Sequence, residues 1–200
     1  KDVNDAVMGG YWRNSATGRG IVFGGDGPSG KVNEIQYITI STTGNATDFG
    51  DLSAVNSGIA SVGSFTRAIA AGGATPTLLA TSQYVQFAST GNAANFGNLS
   101  AARKNISNNL NNSTRGIAAG GVGPGSPGVV NTIEYITMAS TGAYTDFGDE
   151  TAGRNTNAGA ASPTRGLAAG GSTPSVSNVI DYVTIATTGN AIDFGDLTTT

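Results

Sequence analysis

The 200-residue chain contains no cysteine and no histidine. Their absence excludes disulfide bonds, thiolate and imidazole metal ligands, cysteine nucleophiles and the most common general base of enzymes. A Ser-His-Asp arrangement is therefore impossible, and we expect neither catalysis nor a cofactor. Charged residues make up only 12% of the chain, its net charge is −3, and its lysines and arginines form no cluster. Because nucleic-acid backbones are bound by such clusters, the sequence predicts no nucleic-acid partner.

Long apolar runs are also missing. No run approaches the roughly 20 residues that a membrane-spanning helix needs, and no signal peptide is visible, so we expect no membrane insertion. Glycine, in contrast, occurs 31 times, and serine, threonine and asparagine are abundant. These residues favour short strands and tight turns over helices. The composition predicts an all-β fold.

One eight-residue segment occurs four times along the chain, with small differences between copies. Its third copy reads Thr-Arg-Gly-Ile-Ala-Ala-Gly-Gly, and the copies occupy residues 18–25, 66–73, 114–121 and 164–171. The arginines of successive copies are 48, 48 and 50 residues apart. A period of this length is typical of repeat architectures. It predicts one domain, residues 1–200, whose repeats occupy residues 1–52, 53–100, 101–150 and 151–200.

Each repeat contains the pattern of a β-hairpin. A tyrosine-centred segment of alternating apolar residues is followed by a turn such as Thr-Gly-Asn-Ala, and then by a segment that reads Asp-Phe-Gly-Asp in three repeats. The tyrosine and the phenylalanine are 12 residues apart in every repeat. Segments 56–64, 105–112 and 155–162, rich in small residues, precede the repeated arginines, as does segment 7–14, which carries bulky aromatics. We expect these segments to form innermost strands, where small side chains fit a crowded axis.

Four short strands in each of four repeats predict a β-propeller with four blades of four antiparallel strands. The chain resembles the Kelch family of β-propellers in the Gly-Gly pair that ends the second strand, the Ile133-Glu134-Tyr135 element, Phe147, and Pro163-Thr164-Arg165 at the start of the next cycle. The repeat sequences are also similar to those of Kelch-like repeat proteins encoded by tailed marine phages, especially cyanophages. A β-solenoid is the alternative architecture, although its rungs are usually much shorter than about 50 residues.

The phage resemblance implies a non-enzymatic virion component of the tail or fibre type, located in the extracellular particle. Its expected partners are other virion subunits, or a glycan or protein of the host surface. Two alternatives stay open: a purely structural virion subunit that binds only other subunits, and a polysaccharide hydrolase that uses a carboxylate pair. How the ring closes, and whether several copies associate, also stays open at this point.

Two sets of residues are predicted to have roles. In the first, repeated arginines and acids are interpreted as structural ties between blades. This set contains Arg19, Arg67, Arg115, Arg165, Glu34, Glu134 and Asp181. The second is a candidate ligand site, because the connectors between Gly-Gly and the tyrosine vary in length and sequence, and binding residues concentrate in variable loops on a rigid scaffold. This site contains Tyr11, Trp12, Arg103, Lys104 and Asn105, on or near the face of those connectors.

A metal site is not predicted. The paired acids of the Asp-Phe-Gly-Asp segments, such as Asp48 and Asp51, are of the oxygen type that calcium prefers. Two ligands fall well short of the six that calcium requires. We therefore interpret these acids as groups that bond to backbone in the adjoining turn.

Overall fold

The computed structural model describes residues 18–107, 109–125 and 128–199, and β-strand is the only regular structure in them. The strands form four main antiparallel sheets, one for each repeat, and two small two-stranded sheets. The all-β prediction is confirmed. Within the described residues there is no helix long and apolar enough to cross a membrane.

Within each main sheet, the strands lie side by side in the order in which they occur in the sequence. The first sheet consists of β1 (Arg19–Gly27), β2 (Gly30–Thr39) and β3 (Thr47–Asp51). The second repeat contains β4 (Ala60–Gly63), β5 (Arg67–Ala71), β6 (Ala74–Thr75), β7 (Thr77–Leu78), β8 (Thr81–Gln86) and β9 (Ala94–Asn98). The third repeat contains β10 (Leu110–Asn111), β11 (Arg115–Ala119), β12 (Thr132–Thr137) and β13 (Thr145–Asp149). The fourth contains β14 (Ala158–Ala161), β15 (Arg165–Ala169), β16 (Ser172–Thr173), β17 (Ser175–Val176), β18 (Val179–Thr184) and β19 (Ile192–Asp196).

The predicted four strands per sheet are present in three repeats. Their sheets have the orders β4-β5-β8-β9, β10-β11-β12-β13 and β14-β15-β18-β19, while β6-β7 and β16-β17 are the separate small hairpins. The first sheet has three strands, β1-β2-β3, among the described residues. The segment that is predicted as its innermost strand, residues 7–14, lies outside the described residues.

The hairpin between the tyrosine and phenylalanine strands differs from the predicted tight turn. Seven residues connect the two strands in every repeat: 40–46, 87–93, 138–144 and 185–191. The connection is long because its second half pairs with the preceding sheet. Gly91 N, for example, donates to Phe49 O at 2.7 Å, and Ala93 N donates to Asp51 O at 2.9 Å. The Thr-Gly-Asn-Ala segment is thus a contact between sheets as well as a turn.

The hydrophobic core lies between successive sheets. One cluster joins the first and second sheets around Phe49, a second joins the second and third around Phe96, and a third joins the third and fourth around Phe147. Each of these phenylalanines is 2% exposed. Burial of apolar surface in these three gaps therefore holds the sheets face to face.

The segments that are predicted as innermost strands do contain strands β4, β10 and β14, and β10 lies against both of the others. They are less uniformly small than predicted. Val62 of β4 and Leu110 of β10 are buried in the clusters between sheets. These strands therefore contribute to the apolar core, in addition to packing against one another along one edge of the sheets.

The arrangement of four sheets is consistent with a propeller, but no contact that closes a ring is found among the described residues. Within the described residues, no hydrophobic cluster and no hydrogen bond joins the fourth sheet to the first. Phe194, the equivalent of the three buried phenylalanines, is 55% exposed. A closed ring of four blades is thus not formed by the described residues.

Two equivalent glycines test this packing. Gly148 and Gly195 both have positive φ, 145° and 139°. A Cβ atom at Gly148 would lie 2.5 Å from the backbone of Gly189, whereas a Cβ at Gly195 would meet nothing within 4 Å. We expect Gly148→Ala to reduce the free energy of unfolding by about 1–3 kcal/mol more than Gly195→Ala, because only the first overpacks a gap between sheets.

The measurement is denaturant unfolding of the two variants and the parent chain at low micromolar concentration, followed by circular dichroism. Gly195→Ala is the matched control, because it imposes the same backbone strain without the steric overlap. Equal losses of stability would contradict the packing described above.

Candidate functional site: the loop face and the buried ionic network

The variable connectors lie together at one end of the strands, as predicted. Isolated bridges pair three of the connectors with the segment that precedes the innermost strand of the same sheet: Ser57 with Ala74, Lys104 with Val122, and Asn155 with Ser172. In the first repeat, Lys31 Nζ donates to Ala74 O at 2.6 Å, which brings the β1–β2 tip to the same place. We call this surface the loop face; it comprises residues 26–31, 56–58, 74–78, 104–105, 122–125, 128–130, 155–156 and 172–176.

Two of the four connectors are more alike than their sequences first indicate. The β6–β7 and β16–β17 hairpins have the same register, with Ala74 opposite Leu78 and Ser172 opposite Val176. Both turn at a Thr-Pro pair, Thr75-Pro76 and Thr173-Pro174. The variation of the loop face is therefore concentrated in the first connector and in the third, which includes Val122–Gly125 and Gly128–Val130.

The first connector is also the charged one. It extends β1 and β2 beyond the sheet, with Asp26 opposite Lys31 and Gly27 opposite Gly30, and a turn at Pro28 and Ser29. The other three connectors contain no charged residue. Asp26 and Lys31 are thus the ionic groups that the variable hairpins offer to a ligand.

The predicted ligand residues are not brought together as one site. Tyr11 and Trp12 lie outside the described residues. Arg103 is 2% exposed, and its guanidinium is buried. It is therefore a structural residue, and its assignment to the ligand site is wrong. Lys104 and Asn105 are half-buried on the loop face, where Lys104 pairs with Val122 and Asn105 N donates to Gly58 O at 2.8 Å. Only these two of the five stay near the predicted surface.

The repeated arginines are held in one geometry. Each guanidinium carbon lies over the ring of its own sheet's tyrosine, 4.5–4.7 Å from the ring centre. Each tyrosine in turn meets the phenylalanine edge-on, with ring centres 5.9–6.1 Å apart. Such stacks are favourable because the cation faces the negative face of the ring.

Three of these arginines also reach the next sheet. Arg19 Nη1 donates to Phe87 O at 2.7 Å, Arg67 Nη1 to Ala139 O at 3.1 Å, and Arg115 Nη1 to Ile185 O at 2.9 Å. Arg165 is exposed and stacks on Tyr182, and no hydrogen bond from its side chain to another sheet occurs among the described residues. The arginines therefore bind backbone carbonyls rather than the repeated acids.

The repeated acids have other partners. Glu134 Oε1 accepts from Ser100 N at 2.9 Å, and Asp181 Oδ2 accepts from Thr151 N at 3.2 Å, in each case from the end of the preceding sheet. In the second sheet Gln83 Oε1 accepts from Ser53 N at 2.9 Å in the same way. The register places Gln36 at the equivalent position in the first sheet, so the predicted assignment of Glu34 is off by two residues.

Behind these contacts lies a buried ionic network that joins the last three sheets. Arg103 Nη2 donates to Glu134 Oε2, and Arg103 Nη1 to Thr132 O at 2.9 Å. Arg154 Nη2 donates to Asp181 Oδ2 at 2.6 Å and lies 3.6 Å from Glu150 Oε1. The five side chains carry two positive charges and three carboxylates, so the network is neutral only when one carboxyl is protonated.

Glu150 is the carboxyl that departs from the repeat. It follows Asp149 at a position where the other repeats have Leu52, Leu99 and Leu197. Burial, the largest cause, and the neighbouring Asp181 together raise the pKa of Glu150 to about 8, although Arg154 and the hydrogen bond from Asn157 act in the opposite direction. Its Oε2 atom is buried and has no hydrogen-bond partner among the described residues. The neutral form is therefore favoured.

Sequence reasoning missed Glu150, Arg154 and Asn157. The available signals were the break in the Asp-Leu pattern at Glu150 and the recurrence of arginine seven residues after the phenylalanine, at Arg103 and Arg154. A carboxyl with a pKa near 8 suits proton transfer, but Glu150 is 4% exposed. The cavity beside it and Asp181 measures about 10 Å³, which is the space of about one water molecule. No substrate fits there.

Two open grooves repeat at the opposite ends of the strands. One, of about 210 Å³, lies between Phe49 and Tyr84, and the other, of about 140 Å³, lies between Phe96 and Tyr135. Their linings are equivalent residues of successive repeats, so they are a product of the scaffold geometry. Among the described residues, no group of three or more acidic side chains is placed to hold a metal ion.

Comparison with known proteins adds no assignment. A scan against models of protein families finds no match, and a search of curated proteins finds no relative. The Kelch and phage resemblances therefore stay predictions.

The buried network predicts an unusual pH dependence. Because the folded chain holds the Glu150 proton with a pKa of about 8, against an ordinary value of 4.5, it binds that proton more tightly than the unfolded chain does. The contribution of this residue to stability is complete below about pH 4.5 and is lost as the pH rises towards about 8, by at most about 1.4 kcal/mol per pH unit. Glu150→Gln keeps the neutral form at every pH and should remove this loss.

Denaturant unfolding at pH 5, 6.5 and 8 measures the effect. The control is Glu34→Gln, which changes the charge of an exposed carboxylate and should preserve the parent pH profile. If the parent and Glu150→Gln profiles have the same slope, Glu150 is ionised in the folded chain and the assignment is wrong.

Proposed function

We propose that the chain is a non-enzymatic, propeller-type attachment module whose loop face binds a glycan or protein of a host surface, within a virion tail or fibre. The observation that carries the proposal is the contrast between the two ends of the strands. The hairpin connections are seven residues long in all four repeats, while the loop face presents connectors of different length and charge. Binding residues concentrate in such variable loops on a rigid scaffold.

The ligand class follows from the composition of that face. It offers backbone groups, hydroxyls of residues such as Ser29 and Thr75, one pair of opposite charges, Asp26 and Lys31, and the half-buried Lys104. It offers no concentrated charge that would select a polyanion. Hydroxyls and amides are the groups that form hydrogen bonds with neutral sugars and with protein backbone. Each contact is weak, and many copies on one particle would supply firm attachment through avidity.

The hydrolase alternative has less support. Glu150 and Asp181, the two carboxylates that share Arg154, are 4% and 1% exposed. A glycosidase needs two carboxyl groups on either side of a substrate that can enter. The described residues provide no such cleft at this pair.

A purely structural subunit is the second candidate, and one observation favours it. Both ends of the stack of sheets expose apolar side chains, including Ile38 at one end and Phe194 at the other. Exposed apolar surface of this kind is typical of contacts between subunits. Recognition through the loop face and assembly through the ends use different residues, so the two candidates can be tested separately.

A connector exchange tests the attachment function. Replacing residues 26–32 by Ser-Thr-Pro-Ser-Val-Ser, the sequence of residues 172–177, removes Asp26 and Lys31 and gives the first repeat the hairpin of the fourth. We expect binding to host cells or to a glycan array to fall at least tenfold, because the charged connector is lost while the strands are kept. Binding is measured with the labelled chain displayed on a multivalent bead.

The matched control replaces residues 74–78 by residues 172–176, which exchanges two hairpins of the same register. Binding should survive this exchange. If the parent chain binds no glycan and no host surface even on the bead, the attachment proposal fails and the structural candidate takes its place.

A further inference from the structure

The two end sheets expose the two halves of a contact that the chain makes three times internally. We call the exposed side of the first sheet the leading face, with Val22, Gln36, Ile38, Ile40 and residues 44–46. We call the exposed side of the fourth sheet the trailing face, with Arg165, Phe194, Leu197 and the backbone of residues 194–198. In the three internal gaps, the equivalents of the trailing face pack on the equivalents of the leading face.

The apolar residues of the trailing face are exposed only because no sheet follows. Phe194 is 55% exposed, against 2% for each of Phe49, Phe96 and Phe147. Leu197 is 41% exposed, against 3% for its equivalents Leu52 and Leu99. The side chains of this face are therefore those of a buried interface.

The leading face shows the same difference. Ile38 is 43% exposed, whereas Val85, Ile136 and Val183 at the equivalent position are 3–4% exposed. Ile40 is 40% exposed, whereas Ile185 is 0% exposed. Val22 is the departure from the pattern, since the internal sheets carry alanine there. The apolar surface of the leading face fits a phenylalanine strand like those of the other repeats.

The polar groups of the two faces are complementary as well. At the gap between the third and fourth sheets, Gly189 N donates to Phe147 O at 2.7 Å and Ala191 N to Asp149 O at 2.8 Å. Asp149 N donates to Asn190 Oδ1 at 3.1 Å. The equivalent donors on the leading face are Gly44 N and Ala46 N, and the equivalent acceptors on the trailing face are the carbonyls of Phe194 and Asp196.

Three further pairs follow from the same equivalence. Asn45 Oδ1 is the counterpart of Asn190 Oδ1 and would accept from Asp196 N. Gln36 Oε1 corresponds to the inter-sheet acceptor of Gln83, and would accept from Thr198 N. The exposed Arg165 guanidinium would donate to Ile40 O, as Arg115 does to Ile185 O. The two faces thus match in five polar contacts, and each face exposes apolar side chains whose equivalents are buried in the internal gaps.

We propose that the trailing face of one copy of this chain packs on the leading face of a second copy, in the geometry of the internal gaps. The partner is a second copy because both faces are open to solvent in the same molecule, so the fourth sheet does not cover the first. Gly195 has the room that this contact needs, since nothing lies within 4 Å of where its Cβ would be. A head-to-tail contact of this type produces closed rings or extended filaments, depending on its rotation.

A mixing experiment with two variants tests the inference. Ile38→Glu disables the leading face and Phe194→Glu disables the trailing face, and both positions are exposed, so each variant should fold. The parent chain, of 19.8 kDa, should sediment as a dimer or larger species at tens of micromolar, and each variant alone should sediment as a monomer. A mixture of the two variants should form a dimer, because one intact leading face and one intact trailing face are present.

Val176→Glu is the control, since Val176 is 66% exposed on β17 and lies on neither face; it should keep the parent mass. Gly195→Ala is a milder second block of the trailing face; it should be monomeric alone, should pair with Ile38→Glu, and should stay monomeric when mixed with Phe194→Glu. Circular dichroism confirms folding of every variant. A monomeric parent chain overturns the inference, and so does a mixture that stays monomeric while the parent self-associates, since another surface would then be responsible.

Discussion

The structure depends on the contact between the phenylalanine strand of one sheet and the hairpin connection of the next. In this contact a phenylalanine fills the gap, the adjoining glycine allows two backbones to approach, and the connection donates two hydrogen bonds to the strand. Gly50 and Gly148 show the closeness of the approach, since a Cβ at either would overlap the backbone of Gly91 or Gly189. The two most constant motifs of the repeat, Asp-Phe-Gly-Asp and Thr-Gly-Asn-Ala, are therefore the two halves of one contact. A substitution in either motif would therefore disturb its contact with the other.

The polar groups behind this contact vary although its geometry does not. In the first gap the polar residues at these positions are neutral. Asn56 donates to Gly72 O, and Gln83 accepts from Ser53 N. The second uses Arg103 with Glu134, and the third adds Glu150 to Arg154 and Asp181. Removing one partner from a buried ion pair typically costs 3–5 kcal/mol, because a charge is left without compensation. The second and third gaps are thus sensitive to single charge changes in a way that the first gap is not.

Much of the fold could be predicted from the sequence because the repeat period shows which residues are equivalent. The composition correctly predicts the all-β class, and the equivalence of the repeats correctly predicts the tyrosine and phenylalanine hairpin and the common position of the variable connectors. It could not show which equivalent elements touch one another. For this reason the sequence indicates only a turn for the Thr-Gly-Asn-Ala segment. It also predicts that the arginines pair with the repeated acids, which in the structure accept hydrogen bonds from the preceding sheet. The sequence places Arg103 in a ligand site because its segment lies on or near the face of the variable connectors, while its burial depends on Glu134, 31 residues away.

The same equivalence explains why recognition and assembly can be separate in this molecule. Strand β2 runs from Gly30 on the loop face to Thr39 beside the hairpin connection, ten residues along. At about 3.3 Å per residue, the two ends of the strand are roughly 30 Å apart. A change in a connector of the loop face therefore leaves the contacts between the phenylalanine strands and the hairpin connections intact, and a further sheet added at either end leaves the loop face open. If copies join end to end as proposed, the proposed binding surfaces are repeated side by side without any one of them being altered, which is the arrangement that avidity requires.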